Sequence, residues 1–323
     1  MIKVSPIMIA VCLESGKVMV RNRARPRRPE GFALIRLLYG GICNTDLELQ
    51  RGYYGFRGTP GHEFVGEVVE ADDAGWIGQR VAGEINLACG KCEWCARGLG
   101  RHCPTRTVLG IVKQPGAFRE FLTLPERNLR RVPREITSEQ AVFVEPLAAA
   151  CEILDQVRIP KGAPVAVLGD GKLGLLASQV LQAHGAQVHQ YGRHKEKLRI
   201  AERAGVSTEI AKKLPVAKYE FVVEATGSSE GLRQAVQMTQ PRGTVVMKST
   251  VHGLVSIDTA PAIVNEITLV GSRCGRFEPA LRLLKSHKVH VDAMISDVLP
   301  LKDAERAFRA AATPGVLKIL LHD

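Results

Sequence analysis

The sequence predicts an α/β protein with two textures in one chain: a β-rich first half, then a doubly wound parallel sheet covered by helices. Three observations predict it. Residues 1–145 break into short β-branched and aromatic runs separated by Gly and Pro, the pattern of short strands joined by turns. Beyond Glu145, apolar strands recur with helical stretches between them, as in a parallel sheet buried on both faces. At the first strand-to-helix junction of that second half stand three spaced glycines.

Taken in order, Phe32 to Leu38, Phe64 to Glu70, Arg80 to Glu84 and Phe118 to Leu124 are the strands expected in the first half, which reads as all-β. Val165 to Leu168, Gln187 to Tyr191, Phe221 to Glu224, Thr244 to Met247 and Ile267 to Val270 follow as buried strands of the second. After residue 285 the pattern reverts to mixed short elements and ends in a strand at Val316 to Leu321, as when a chain returns to its first domain. The expected domains are 1–146 and 147–284, with 285–323 as the return. A length of 323 residues suits two domains.

Composition excludes several classes. Hydrophobic residues make up 45% of the chain, yet no apolar run approaches the ~20 residues of a membrane helix. No membrane partner is therefore expected. Met1-Ile-Lys-Val-Ser5 lacks the apolar core and small-residue cleavage site of a secretory signal, so the cytoplasm is the expected location. Five of the eight cysteines fall in two local sets, which favours metal over disulfides, and Cys12, Cys151 and Cys274 read as core or free thiols. The net charge of +11 and the run Arg21, Arg23, Arg25, Arg27 and Arg28 raise a nucleic-acid partner. That run ends in Pro29-Glu30-Gly31 and reads as a solvated turn, and aromatics at 5% are sparse for base stacking. No nucleic-acid partner is expected; a basic surface also draws phosphorylated cofactors.

The glycines are Gly169-Asp170-Gly171-Lys172-Leu173-Gly174, after the strand Val165 to Leu168 and before a helix running to His184. In this context the first glycine makes the tight turn, the second lets the backbone approach a pyrophosphate and the third lets helix pack on strand. A dinucleotide, bound on a Rossmann sheet, is the expected ligand. An acid at the end of the next strand would accept a hydrogen bond from the ribose 2′-hydroxyl. Here that strand ends in Gly192-Arg193-His194-Lys195, with no acid and with cations suited to a 2′-phosphate. NADP is therefore favoured, with NAD as the alternative.

Cys89, Cys92, Cys95 and Cys103 span fifteen residues in a C-x2-C-x2-C-x7-C pattern. Four thiolates so spaced close around one tetrahedral zinc, leaving no open position, which makes this a structural site. Upstream, Cys43 and His62 sit in glycine-flanked segments beside Asp46 and Glu63, a second and different ligand set. Glu145, an acid within an apolar stretch, needs a partner, which a metal, an arginine or backbone groups could supply.

Gly41-Ile-Cys43-Asn-Thr45-Asp46, Gly61-His62-Glu63-Phe-Val-Gly66, the four-cysteine lobe, Gly116-Ala-Phe118, Glu145-Pro-Leu-Ala148, the glycine run and Val223-Glu-Ala-Thr226-Gly227 together resemble the medium-chain zinc-dependent alcohol dehydrogenases, in their polyol, sugar and threonine dehydrogenase branch. The resemblance runs end to end. It implies a GroES-like β domain carrying both zincs, a Rossmann domain, an active site in the cleft between them, and a homodimer or homotetramer. It also implies that Cys43 and His62 bind a catalytic zinc, with Glu63 and Glu145 exchanging as the remaining protein ligand or as partner of its water. Asp46 would hold His62, Thr45 would accept the alcohol proton, and Thr226 and Gly227 would line the cofactor site. Glu48 stands where many relatives have His, so the proton path ends on a carboxylate or in solvent.

The implied chemistry is reversible hydride transfer between a secondary alcohol, polyol or sugar hydroxyl and NAD(P). Tyr53, Tyr54, Phe56 and the segment Arg273 to Arg276 are expected near the substrate. Two rival readings are a zinc-free quinone or enone reductase of the same superfamily, against which Cys43, His62 and Glu145 argue, and a zinc-ribbon nucleic-acid binder. A ribbon separates its two knuckles by roughly 15–20 residues, whereas here they overlap. A cofactor-binding protein without catalysis is the last alternative.

Overall fold

A computed structural model describes residues 6–250 and 256–323. The chain forms two compact units, Met1–Glu145 with Ile295–Asp323, and Pro146–Met294. The return to the first unit thus begins at Ile295 and not at residue 285. Residues before it stay with the second unit, where the Gln179 side chain donates to the His290 carbonyl (3.2 Å) and accepts from its N–H (2.8 Å).

The first unit is built on a seven-stranded sheet whose centre is the strand Phe32–Gly41. This strand pairs antiparallel with Glu63–Glu70, with Phe121–Pro125 and, at its far end, with the chain's last strand, Lys318–His322. Its residues alternate too little for a solvated face because both faces are covered: Ala33, Leu34, Ile35 and Leu37 are all buried. A hairpin precedes the sheet, Ile7–Glu14 with Lys17–Ala24, turning at Ser15-Gly16 with positive φ at both residues. The arginine run is therefore not simply a turn. Arg21 and Arg23 lie on the second hairpin strand, and Arg23, Arg25 and Arg28 pair with Glu14, Glu70 and Asp72.

Nor is this unit all-β. The helix Asn44–Gln50 follows the central strand directly, and Ala304–Ala311 buries Ala304, Ala307 and Phe308 at helical spacing.

In the second unit six strands run parallel in the order Ser207–Ile210, Gln187–Gly192, Pro164–Leu168, Tyr219–Glu224, Thr239–Met247, Thr268–Gly271. This is the doubly wound order, with its switch point beside Pro164–Leu168, where ligands bind outside the strands' carboxyl ends. The strand expected from Thr244 starts at Thr239. Its Pro241-Arg242-Gly243 run is absorbed as an irregularity, with Arg242 at φ 63° and a register shift opposite Tyr219 to Phe221. Among the described residues no helix is long and apolar enough to cross a membrane.

Candidate functional site

Cys43 caps the helix Asn44–Gln50, immediately after the central strand has delivered the chain through Gly40 and Gly41. Asp46, fully buried, ties that helix start to the next strand: its Oδ2 accepts from the Cys43 N–H (2.8 Å) and its Oδ1 from the Gly61 N–H (3.1 Å). The same Oδ1 lies 3.5 Å from His62 Nδ1, a charge contact and not a hydrogen bond. Gly61 has φ 100°, and a Cβ there would strike the Phe118 ring at 2.5 Å. Glycine is required for the turn that presents His62.

Three of the expected residues converge. Ligand atoms of Cys43, His62 and Glu63 all lie within 4.8 Å of one another. His62 and Glu63 are buried, and the donors are one thiol, one imidazole and one carboxylate, a set suited to zinc. Burial is the largest single influence and opposes a charge on His62, but the Asp46 carboxylate and the Cys43 thiol together hold the imidazole well above its ordinary value. Glu145 does not join that close set. Burial pushes its carboxyl up to about 7, opposed by His62 and reinforced by Glu63 and Glu84. Thr45 Oγ1 lies 3.8 Å from Cys43 Sγ. Glu48, one turn further on, pairs with Arg51 at 2.6 Å.

Sequence reasoning missed Lys318. It is 1% exposed and forms an ion pair with Glu63, itself 1% exposed, with its ammonium 5.6 Å from the Phe143 ring centre. Burial alone would lower the lysine, yet Glu63, then Cys43 and Asp46, raise it. The available signal was a single cation inside the apolar run Val316 to Leu321.

In the cysteine lobe the sulfur separations are 3.9 Å for Cys89 to Cys95, 3.5 Å for Cys92 to Cys95 and 3.8 Å for Cys92 to Cys103. A tetrahedron with metal–sulfur bonds of ~2.3 Å has edges of about 3.8 Å, so the four thiols fit one ion, and all are too far apart for disulfides. The Cys89 backbone N–H, then the Thr105 hydroxyl, hold Cys103 down to about 6. Cys92 is pushed up to about 11: the Cys95 N–H opposes this, but burial and the neighbouring thiols prevail.

At the glycine run, Gly169 has φ 121°, and a Cβ there would meet the Ala225 carbonyl at 2.4 Å; one on Gly174 would meet the Gly169 carbonyl at 2.3 Å. A Cβ on Gly171 would meet nothing within 4 Å. That clearance is what an approaching pyrophosphate needs. Lys172 and Leu173 open the helix Lys172–His184, whose cap, Gly171, has no side chain to satisfy the first N–H groups. Thr226 donates to the buried Glu224 carboxylate through its N–H and its hydroxyl, both at 2.7 Å, and Gly227 N–H donates to Ser249. Arg193 and Lys195 are exposed.

One expectation is overturned here. An acid does stand at the end of Gln187–Gly192, brought there from the glycine run: Asp170 Oδ2 accepts from the N–H groups of Arg193 (2.6 Å) and His194 (2.7 Å).

The aromatic residues expected near substrate divide. Tyr54 and Phe56 line a groove of about 580 Å³ with Gly58, Thr59, Ile111 and Gln114, which none of Cys43, His62 and Glu63 lines. Tyr53 packs on Tyr54, with ring centres 4.1 Å apart. Arg276 is engaged by Asp155 through two contacts of 3.1 Å.

Comparison with known proteins finds related sequences and folds. Residues 29–134 match the model of the alcohol dehydrogenase GroES-like domain and residues 173–286 that of the zinc-binding dehydrogenases. A sorbitol dehydrogenase of Halalkalibacterium halodurans is 28% identical over 95% of this chain and 96% of its own. The solved structure of a zinc-binding dehydrogenase from Sinorhizobium meliloti 1021, bound to NADP, is 30% identical with a TM-score of 0.90, covering 99% of this chain and 100% of that one. The alcohol dehydrogenase of Thermus sp. ATN1 is 29% identical with a TM-score of 0.89, covering 98% and 99%.

Proposed function

From the premise that this chain belongs to the medium-chain, zinc-binding alcohol dehydrogenase family, we propose that it moves hydride reversibly between an alcohol, polyol or sugar hydroxyl and a nicotinamide dinucleotide. The convergence of Cys43, His62 and Glu63 carries this reading. These three would hold the catalytic zinc, with Glu145 close by, and Cys89, Cys92, Cys95 and Cys103 would hold a second, structural one. Zinc in the first set supplies Lewis acidity, making a hydroxyl more acidic and, in reverse, a carbonyl more electrophilic.

The protein's own residues supply the rest. Asp46 fixes Cys43 and the Gly61 turn, and so fixes the distance between thiol and imidazole. Thr45 takes the alcohol proton and passes it outward toward Glu48 and solvent. The alcohol thereby loses one proton through the protein and one hydride to the oxidised dinucleotide, leaving a ketone or aldehyde and the reduced cofactor. The glycine run and the helix N-terminus bind the pyrophosphate. Arg193 and Lys195 draw the 2′-phosphate, so NADP is favoured. The sorbitol dehydrogenase relative supports polyols as the first substrate class to test. A cytoplasmic homodimer or homotetramer completes the reading, which sedimentation checks.

The test is a panel of alcohols, polyols and aldoses with NAD and NADP, read by nicotinamide absorbance, beside elemental analysis of the purified protein. Zinc with dinucleotide reduction on at least one member is expected. No reduction with any member, in a protein that holds zinc, overturns the reading.

A further inference from the structure

We propose that Asp170 is the acid that reads the adenosine ribose, so that the site takes NAD as well as NADP; the inference rests on the dinucleotide reading above. In a doubly wound fold the residue that accepts from the ribose 2′-hydroxyl stands at the end of the second strand. Here that end is Gly192. A Cβ on Gly192 would lie 2.6 Å from Asp170 Cβ and 2.7 Å from its Oδ2. The space a side chain at 192 would enter is already filled by the carboxylate of Asp170, and glycine is what admits it.

The carboxylate is held firmly. Asp170 is buried, and its Oδ2 accepts from Arg193 N–H (2.6 Å), from His194 N–H (2.7 Å) and from the His194 ring at Nδ1 (3.0 Å). All three bonds go to one oxygen. Oδ1 takes none among the described residues, so one acceptor stays free at the position where a ribose hydroxyl is read. Arg193 and Lys195, the neighbouring cations, are exposed and form no ion pair among the described residues. The strand end therefore carries two opposed determinants. An ionised carboxylate accepts from a 2′-hydroxyl and repels a 2′-phosphate, whereas the cations attract the phosphate. Asp170 limits the preference that Arg193 and Lys195 create.

A purely structural Asp170, one that only ties the strand to the helix Lys195–Arg203, would affect both cofactors alike. The experiment measures dissociation constants for NAD and NADP on the full-length protein without alcohol, by calorimetry, for wild type and Asp170→Asn. Asparagine keeps an acceptor for the two N–H groups and removes the charge. The expected result is a shift of the NADP-to-NAD affinity ratio toward NADP by about tenfold, the size of one lost hydroxyl contact or charge repulsion. A ratio unchanged within about twofold, with a lowered melting temperature, overturns the proposal and leaves Asp170 a structural tie. If Asp170→Asn does not fold, the double variant Asp170→Gly, Gly192→Asp moves the carboxylate onto the strand itself. Retention of NAD binding in that variant supports the proposal, and binding of NADP alone overturns it. Wild type that binds neither dinucleotide overturns the functional reading as well.

Discussion

Lys318 reaches Glu63 across Gly41, 255 residues apart in sequence and sealed from solvent. The central strand makes this meeting, since Gly41 pairs with Glu63 on one side and with Leu320 on the other. Removing one partner of a buried pair strands the other charge, at a cost of about 3–5 kcal/mol. Lys318→Met is expected to lower the urea midpoint accordingly. A midpoint within experimental error of wild type would show that the pair contributes nothing.

Gly41 has no room for a side chain. A Cβ there would lie 2.6 Å from Val142 Cγ1, 3.0 Å from Glu63 Oε2 and 3.2 Å from Lys318 Cδ. Gly41→Ala should therefore destabilise the first unit by about 1–3 kcal/mol, the range for overpacking. Because the displaced atoms include a candidate zinc ligand, zinc content should fall too, which elemental analysis of the purified variant reads directly.

The two ligand sets should separate by mutation. Cys43→Ser should lose one zinc and all turnover while calorimetry still detects dinucleotide binding. Cys92→Ser should also lose one zinc, but its main effect should be a lower melting temperature, since a closed four-thiolate site contributes to folding and not to chemistry. Turnover surviving in Cys43→Ser at full rate would remove that thiol from the reaction.

Asp72 sets part of the acid limb of stability. The Gly31 N–H, then the Arg28 guanidinium, hold its carboxyl below the ordinary 3.8. The unfolded chain therefore binds the proton more readily, so this contribution is present above that value and is lost as pH falls through the folded one. Asp72→Asn should flatten the difference between urea midpoints measured at about pH 5 and about pH 3. An unchanged difference would exclude Asp72 from the acid response.

Much of the site was legible because its chemistry is local. Four cysteines within fifteen residues, or three glycines between a strand and a helix, constrain geometry within a single loop, and turn physics does the rest. That the second unit holds a parallel sheet followed from the alternation of strands and helices in the same way. Three outcomes needed the tertiary structure, each because it turns on how separate segments of the chain pack together. Glu63 lies in one close set with Cys43 and His62, where the start of its strand meets the start of the helix Asn44–Gln50. Lys318 joins them only because the last strand pairs with the central one. Asp170 supplies a carboxylate to a strand end that carries no acid of its own, through space that Gly192 leaves open. Sequence by itself pointed to the candidate ligands and the cofactor class, whereas packing between distant segments decided which charges meet, because no local spacing encodes a contact made across a sheet.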